Sequence, residues 1–280
     1  MSIKKSRGKP GVFSGSARRQ YSMSSNEAVP AYAHWGGLAL RNSGKEAMTA
    51  FTGIKNWILD LMFPKFCVGC RSEGTFLCAA CRAGLPSPAP SCPVCSRRNF
   101  TGILCDPCAE KTNLRRFLAP FPYSHPLVRE LIHTYKYTGV RELAPLLADE
   151  ISSYLHRYAI RPAEPACLIP IPLHRRRERE RGFDQARLLA RALSERLSLP
   201  IAAAVIRSRS TEQQARLDSH DARRRNVADA FRVIAPEAIS GRTAILVDDV
   251  STSGATLTEA ARVLREAGAR TVWAIVIAKG

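Results

Sequence analysis

Hydrophobic periodicity divides the chain into three stretches. Over residues 1–50 no helical or strand period holds, and Ser, Gly, Lys and Arg dominate. So polar a stretch buries too little to order itself, and it reads as a disordered basic tail. From Phe51 the pattern changes: Phe51, Ile54, Ile58, Leu61 and Met62 recur at helical spacing until Pro64 stops the helix. A cysteine-rich block with Gly, Pro and short polar turns follows to Cys108, with little core of its own.

Beyond about residue 115 strands and helices alternate. Phe117 to Tyr123 reads as a strand, and Leu127 to Tyr137 and Leu143 to Tyr158 carry helical periods. Cys167 to Ile171 is a short apolar run. Phe183 to Leu197 is amphipathic, with Ala186, Leu189, Ala190, Leu193 and Leu197 on one face. Arg242 to Val247 ends in an apolar strand, Leu257, Ala260, Ala261, Leu264 and Ala267 mark a helix face, and Thr271 to Ala278 is a last buried strand. This alternation predicts an α/β fold: a mostly parallel sheet with helices on both faces, preceded by a small cysteine-rich domain. The expected boundaries are a tail over 1–50, a helix plus metal-stapled unit over 51–112, and the α/β domain over 113–280.

Composition narrows the class. With 280 residues, 45% of them apolar, the chain can build a core, so a fibrous or wholly disordered protein is excluded. Its longest apolar run, Val272 to Ala278, has seven residues, too few for a membrane span. The net charge is +18, and two thirds of that excess lies beyond residue 50. A phosphate-rich partner fits such a balance.

Eight of the nine cysteines form four C-x-x-C pairs: Cys67/Cys70, Cys78/Cys81, Cys92/Cys95 and Cys105/Cys108. No apolar run before a small-residue cleavage site marks a signal peptide. Paired thiols in a reducing compartment, the cytoplasm, read as metal ligands. Two residues between thiols let both sulfurs reach one ion, and two such turns complete a tetrahedral Cys₄ zinc site. Hairpins of seven and nine residues separate the pairs, so the sites are read sequentially as 67/70/78/81 and 92/95/105/108. An interleaved pairing remains open. Four thiolates leave no coordination position for a substrate, so both zincs are expected to be structural. Cys167 precedes an apolar strand and reads as core.

The sharpest chemistry lies at 243–257. An apolar strand delivers Asp248 and Asp249 to its C-terminal end, and Ser251, Thr252, Ser253, Gly254, Ala255 and Thr256 turn directly into a helix. Gly254 lets the backbone approach a ligand, and the free N–H groups of the helix start form a nest for a phosphate dianion. The acids repel that phosphate; they suit the hydroxyls of an attached sugar or a Mg²⁺ ion. Together these features describe a site for a ribose 5-phosphate.

This stretch resembles the phosphoribosyl pyrophosphate loop of type I phosphoribosyltransferases. The segment from Ile169-Pro170-Ile171-Pro172-Leu173-His174 through Arg181-Gly182-Phe183-Asp184-Gln185 is similar to the signature of the ComF (GntX-like) family, and Tyr135-Lys136-Tyr137 with Gly139 and the cysteine block also fit it. The resemblance covers about 57–280 and implies a phosphoribosyltransferase-like domain behind a double zinc ribbon. It implies that Asp248 and Asp249 contact the ribose hydroxyls and act in catalysis, and that Ser251 to Thr256 hold the 5′-phosphate. It further implies a pyrophosphate loop at Pro170 to His174, followed by Arg175 to Arg177, with Mg²⁺ arriving with phosphoribosyl pyrophosphate. A flexible hood is placed at Arg207 to Asn226. Residues 174–181 read equally well as a solvated helix face, since Glu178 and Glu180 can pair with neighbouring arginines. A lone histidine such as His174 is commonly a hydrogen-bonded or phosphate-contacting residue.

Two function classes follow. One is a Mg²⁺-dependent phosphoribosyltransferase with an unknown acceptor, associated through the family resemblance with competence and DNA uptake and use; a regulator that senses phosphoribosyl pyrophosphate is a third, weaker reading. The other is a non-catalytic nucleic-acid-binding module handling imported single-stranded DNA beside a helicase-like ATPase. The acid pair favours the first class, because DNA lacks the 2′-hydroxyl.

Overall fold

The structure, a computed structural model, describes residues 64–280 apart from 100, 139, 210 and 212–218. The basic tail and the Phe51 to Met62 helix lie outside the described residues.

The cysteine block folds as one motif used twice. In the first copy Cys67 N–H donates to Ser72 O (2.8 Å) and Arg71 N–H to Cys67 O (2.9 Å); in the second Cys92 N–H donates to Arg97 O (2.9 Å) and Ser96 N–H to Cys92 O (2.9 Å). Arg71 and Ser96 occupy the same left-handed position, at φ +64° and +59°. The second thiol pair of each copy opens a short helix: Cys78 caps α1 (Ala79–Ala83) and Cys105 caps α2 (Asp106–Thr112). The four sulfurs of 67/70/78/81 lie within 4.8 Å of one another, as do those of 92/95/105/108. Across the pairs, Cys70 approaches Cys78 and Cys95 approaches Cys105, each at 3.6 Å between sulfurs. A tetrahedron with Zn–S bonds of about 2.3 Å has edges of about 3.8 Å, so the donor sets fit zinc in the sequential pairing. Burial works against ionising Cys67, yet backbone N–H groups, led by that of Cys70, hold its thiol down at about 6.

The strands β1 (Arg116–Leu118) and β2 (Phe121–Pro122) replace the single strand expected over 117–123. Pro120 between them has no N–H to give a ladder. Helices α3 (Pro126–Tyr137) and α4 (Leu143–Arg157) lead to β3 (Ala166–Pro170), then to α5 (Arg175–Arg181) and α6 (Gln185–Leu197). After them β4 (Val205–Arg207), α7 (His220–Val227) and β5 (Phe231–Val233) form a hairpin-like excursion. The chain ends with β6 (Thr243–Ser251), α8 (Ala255–Glu266) and β7 (Thr271–Lys279). The main sheet has the order β1-β7-β6-β3, with β2 also on β7, and all pairs are parallel. The α/β expectation holds.

Alternate side chains of the central strands feed two cores. Ile245, Val247, Trp273, Ile275 and Ile277 pack with α3, α4 and α6, while Ala244, Leu246, Val272, Ala274 and Val276 pack with α8 and the β4–β5 pair. The cysteine block joins both: Val68 and Leu77 enter the first core, and Cys92, Leu104 and Cys108 the second, which also buries Cys167. Its second copy is stitched to the sheet edge, because Ile103 bridges Arg116 antiparallel and Phe117 N–H donates to Gly102 O (3.0 Å). Gly102 has φ +68°, and a Cβ there would collide with Leu118. Among the described residues no helix is long and apolar enough to cross a membrane.

Because both donor sets close on four sulfurs and line separate cores, metal analysis of the purified chain should give two zinc ions per molecule. Cys92→Ser should lower the ratio to one and lower the melting temperature of the whole unit. A single unfolding transition, shifted as a whole, is the expected calorimetric result.

Candidate functional site

The parallel pairing of β3 with β6 sets Pro170 opposite Val247, so two loops leave the same carboxyl edge side by side. Ile171 N–H still donates to Val247 O at 2.9 Å, which pins the first loop to the root of the second. In open α/β sheets ligands bind at such an edge.

On the β6 side the predicted acids stand just past Val247, the last residue paired with β3, while the strand runs on beside β7 to Ser251. Asp249 is buried and Asp248 half-buried, and Asp249 N–H donates to Asp248 Oδ1 at 2.8 Å. Burial, then the Asp249 charge, pushes the Asp248 carboxyl up to about 7. Beyond them Ser251 is buried, and its carbonyl accepts the Gly280 N–H at 2.9 Å. Gly254 caps α8 at φ +74°, a left-handed turn that suits glycine, and Ser253 Oγ accepts from Ala255 N–H at 3.4 Å. Thr252 is exposed, while Thr256 is half-buried in the first turn of α8.

The β3 side divides. Ile171 is core, and Pro172 and Leu173 are half-buried. His174 Nδ1 accepts the Arg176 N–H at 3.3 Å and so caps α5, a structural task. Arg175 is exposed, and Arg176 pairs with Glu180 at 2.9 Å on the solvent side, as a solvated helix face would. Arg177 instead turns inward and donates to Thr211 O at 2.8 Å. The Thr211 hydroxyl accepts from Arg207, whose guanidinium lies over the Phe231 ring at 5.3 Å. Burial, then the neighbouring Arg177, lowers Arg207 to about 10, and its Nε is buried with no hydrogen-bond partner. Two guanidinia thus share one threonine at the start of the stretch expected to be a hood.

The sequence reading gave Lys136 no role. Lys136 Nζ lies 2.8 Å from Asp249 Oδ1, with side chains only 18% and 12% exposed. Burial pulls the ammonium down, but Asp249 and Asp248 outweigh it and raise its pKa. The two family motifs interlock around this lysine. Tyr135 OH donates to Gln185 O (2.7 Å), Gln185 Nε2 to Lys136 O (3.4 Å), and Arg181 to Gln185 Oε1 (3.0 Å). Arg181 also covers Tyr137, and Arg141 covers Phe183. One signal was available: Lys136 falls one turn after Ile132, on the flank of the buried stripe of α3.

Arg223, Arg224 and Arg225 of α7 line a cleft of about 830 Å³ with Thr252 and Ser253 of the α8 loop and Pro93 and Val94 of the second cysteine turn. Arg175 to Arg177 do not line it.

A strand-loop-helix site behind two Cys₄ clusters defines a phosphoribosyltransferase-like protein with a double zinc ribbon. The family model for the phosphoribosyl transferase domain matches residues 181–280, and that for the double zinc ribbon domain matches 58–114. The chain belongs to the ComF family. The DNA utilization protein YhgH of Shigella flexneri is 32% identical over 76% of this chain and 96% of its own. Competence protein ComFC of Bacillus subtilis is 29% identical over 69% and 79%, and competence protein F of Haemophilus influenzae 30% identical over 72% and 91%.

The acid pair implies a stability signature. A carboxyl raised from 3.8 to about 7 in the folded chain stabilises most below pH 3.8, and that stability is lost as pH rises towards 7. Asp248→Asn keeps the shape without the charge. Its melting temperature should exceed that of the parent at pH 7.5, and the gap should shrink steadily towards pH 4.

Proposed function

We propose that the chain binds phosphoribosyl pyrophosphate, or a ribose 5-phosphate, at the carboxyl edge of β3 and β6. Asp248 and Asp249 take the 2′ and 3′ hydroxyls, and Ser251 to Thr256 cradle the 5′-phosphate at the start of α8. Pro170 to His174 form the floor beneath the pyrophosphate, with Arg175, Arg177 and Arg207 as its cations. The observation that carries this reading is the buried acid pair beside a glycine-turned, hydroxyl-rich helix start. A mere capped turn accounts for the loop but not for two adjacent carboxyl groups on a buried strand.

Transfer breaks the bond between C1′ and the pyrophosphate oxygen while an acceptor bonds to C1′. Positive charge grows on the sugar and negative charge on the leaving group. Carboxylates under the ribose and guanidinia at the pyrophosphate oppose both without reorganising. A Mg²⁺ ion arriving with phosphoribosyl pyrophosphate would further stabilise the leaving charge. His174 keeps Nδ1 occupied as a helix cap, so it orients α5 rather than taking a proton there. The reduced-thiol clusters support a cytoplasmic setting.

Calorimetric titration tests the assignment. Asp248→Asn combined with Asp249→Asn should weaken phosphoribosyl pyrophosphate binding by about tenfold or more while the fold persists, as lost charge-assisted hydrogen bonds require. Equal affinities place the ribose elsewhere.

A second reading rests on the arginine-lined cleft. The relatives' names concern DNA utilization and competence, and the cleft adjoins the loop assigned to a 5′-phosphate. We read it as a path for the phosphates of single-stranded DNA, delivered by the helicase-like ATPase that the family resemblance implies; co-purification tests that partner. Neutralising phosphates releases counterions, so affinity should fall steeply with salt, by a slope of roughly 0.7 per phosphate contacted. Charge reversal at Arg224 and Arg225 should weaken binding and flatten that slope. An unchanged slope removes the cleft from the strand's path.

A further inference from the structure

Two carboxyl groups side by side on a buried strand accept sugar hydroxyls well only if both stay ionised. Their mutual repulsion and desolvation must be offset before a neutral donor can approach. A divalent cation is one way to do this. The structure holds another. The Lys136 ammonium is 2.8 Å from Asp249 Oδ1, and both groups are nearly shielded from water.

This contact differs from a surface ion pair in how it is built. The lysine leaves the last turn of α3, and its carbonyl accepts from the Gln185 side chain of α6. The preceding Tyr135 is fully buried and donates to the Gln185 carbonyl at 2.7 Å. Two helices therefore fix the origin of the side chain, and the ammonium is delivered to one acid of the pair. Asp248 stays half-buried with its Oδ1 turned to the Asp249 N–H. One resident positive charge against two carboxyl groups leaves a pair able to accept hydrogen bonds from two hydroxyls without an added ion.

We propose that Lys136 is the built-in counter-cation of the Asp248–Asp249 pair, a positioning residue that lets the chain hold ribose hydroxyls without a divalent metal. The inference rests on the ribose assignment made above and adds to it a resident charge partner for the acids.

Ribose 5-phosphate is the probe that separates these parts, because it has the sugar and phosphate but no pyrophosphate. Its affinity for the wild-type chain, measured by calorimetry in EDTA and again in Mg²⁺, should be the same. Lys136→Met should bind about tenfold more weakly in EDTA, the loss of a buried counter-charge, and regain most of that in Mg²⁺. Lys136→Arg, which keeps the charge, should bind without metal. A merely structural lysine would not make binding metal-dependent. Wild-type binding that needs Mg²⁺ overturns the proposal, and this measurement stands even if Lys136→Met fails to fold. Unchanged binding by a folded Lys136→Met also overturns it while leaving the ribose assignment intact. No binding of ribose 5-phosphate by the wild type in either buffer overturns the proposal, and the phosphoribosyl pyrophosphate titration then decides the ribose assignment separately.

Discussion

The structure turns on one electrostatic difficulty: β6 is buried along nearly its whole length and carries two adjacent carboxyl groups near its C-terminal end. Burial makes the strand the centre of the sheet, and the same burial makes its last residues costly to ionise. Asp249 is satisfied by Lys136, while Asp248 accepts the Asp249 N–H and keeps an elevated pKa of about 7. A protein selected for stability alone would place apolar residues there. Keeping the pair implies that the cost is offset by a task performed at the strand's end.

The zinc ribbons serve the same sheet from its other side. An edge strand exposes unpaired backbone groups, and β1 is such an edge. Residues 102–104 cover it, with Leu104 N–H donating to Arg115 O at 3.0 Å. The first ribbon packs into one core and the second into the other, so metal at the cysteines braces both faces. Four-thiolate coordination substitutes for the apolar core that so short a block cannot build, and the block then contributes Val68, Leu77 and Leu104 to a core larger than its own.

Much of this was legible in the sequence because it rests on local periodicity. Strands buried on both faces read as unbroken apolar runs, as in Val272 to Ala278, and the cysteine spacing set the ligand turns. Asp248, Asp249 and the 251–256 loop are contiguous, so their meeting needed no fold. What escaped is what the fold brings together from afar. Lys136 meets Asp249 only because the fold brings the end of α3 to the acid pair of β6, and Arg177 meets Arg207 only through Thr211. The motif residues Tyr135, Arg181 and Gln185 were quoted for their pattern, yet their contacts form scaffold that holds Lys136 rather than contacts open to a ligand. The arginine run at 175–177 split three ways, since a helix turns successive residues about 100° apart.

The proposed sugar and strand ligands cannot use the site identically. Carboxylates aimed at the 2′ and 3′ hydroxyls favour ribose, and a DNA strand offers neither hydroxyl within its chain, because the 2′ position is bare and the 3′ oxygen is esterified. A strand must therefore be held through its phosphates. The cleft of Arg223, Arg224 and Arg225 supplies cations for that, and it reaches Thr252 and Ser253, the outer part of the loop assigned to the 5′-phosphate. On this reading the loop is the shared boundary: one ligand places its terminal phosphate there from the acid side, the other passes a backbone phosphate along it from the arginine side. Occupancy of the nest by either phosphate excludes the other by charge and by volume. Phosphoribosyl pyrophosphate and single-stranded DNA should then compete, although the groups that distinguish them lie on opposite sides of Thr252 and Ser253.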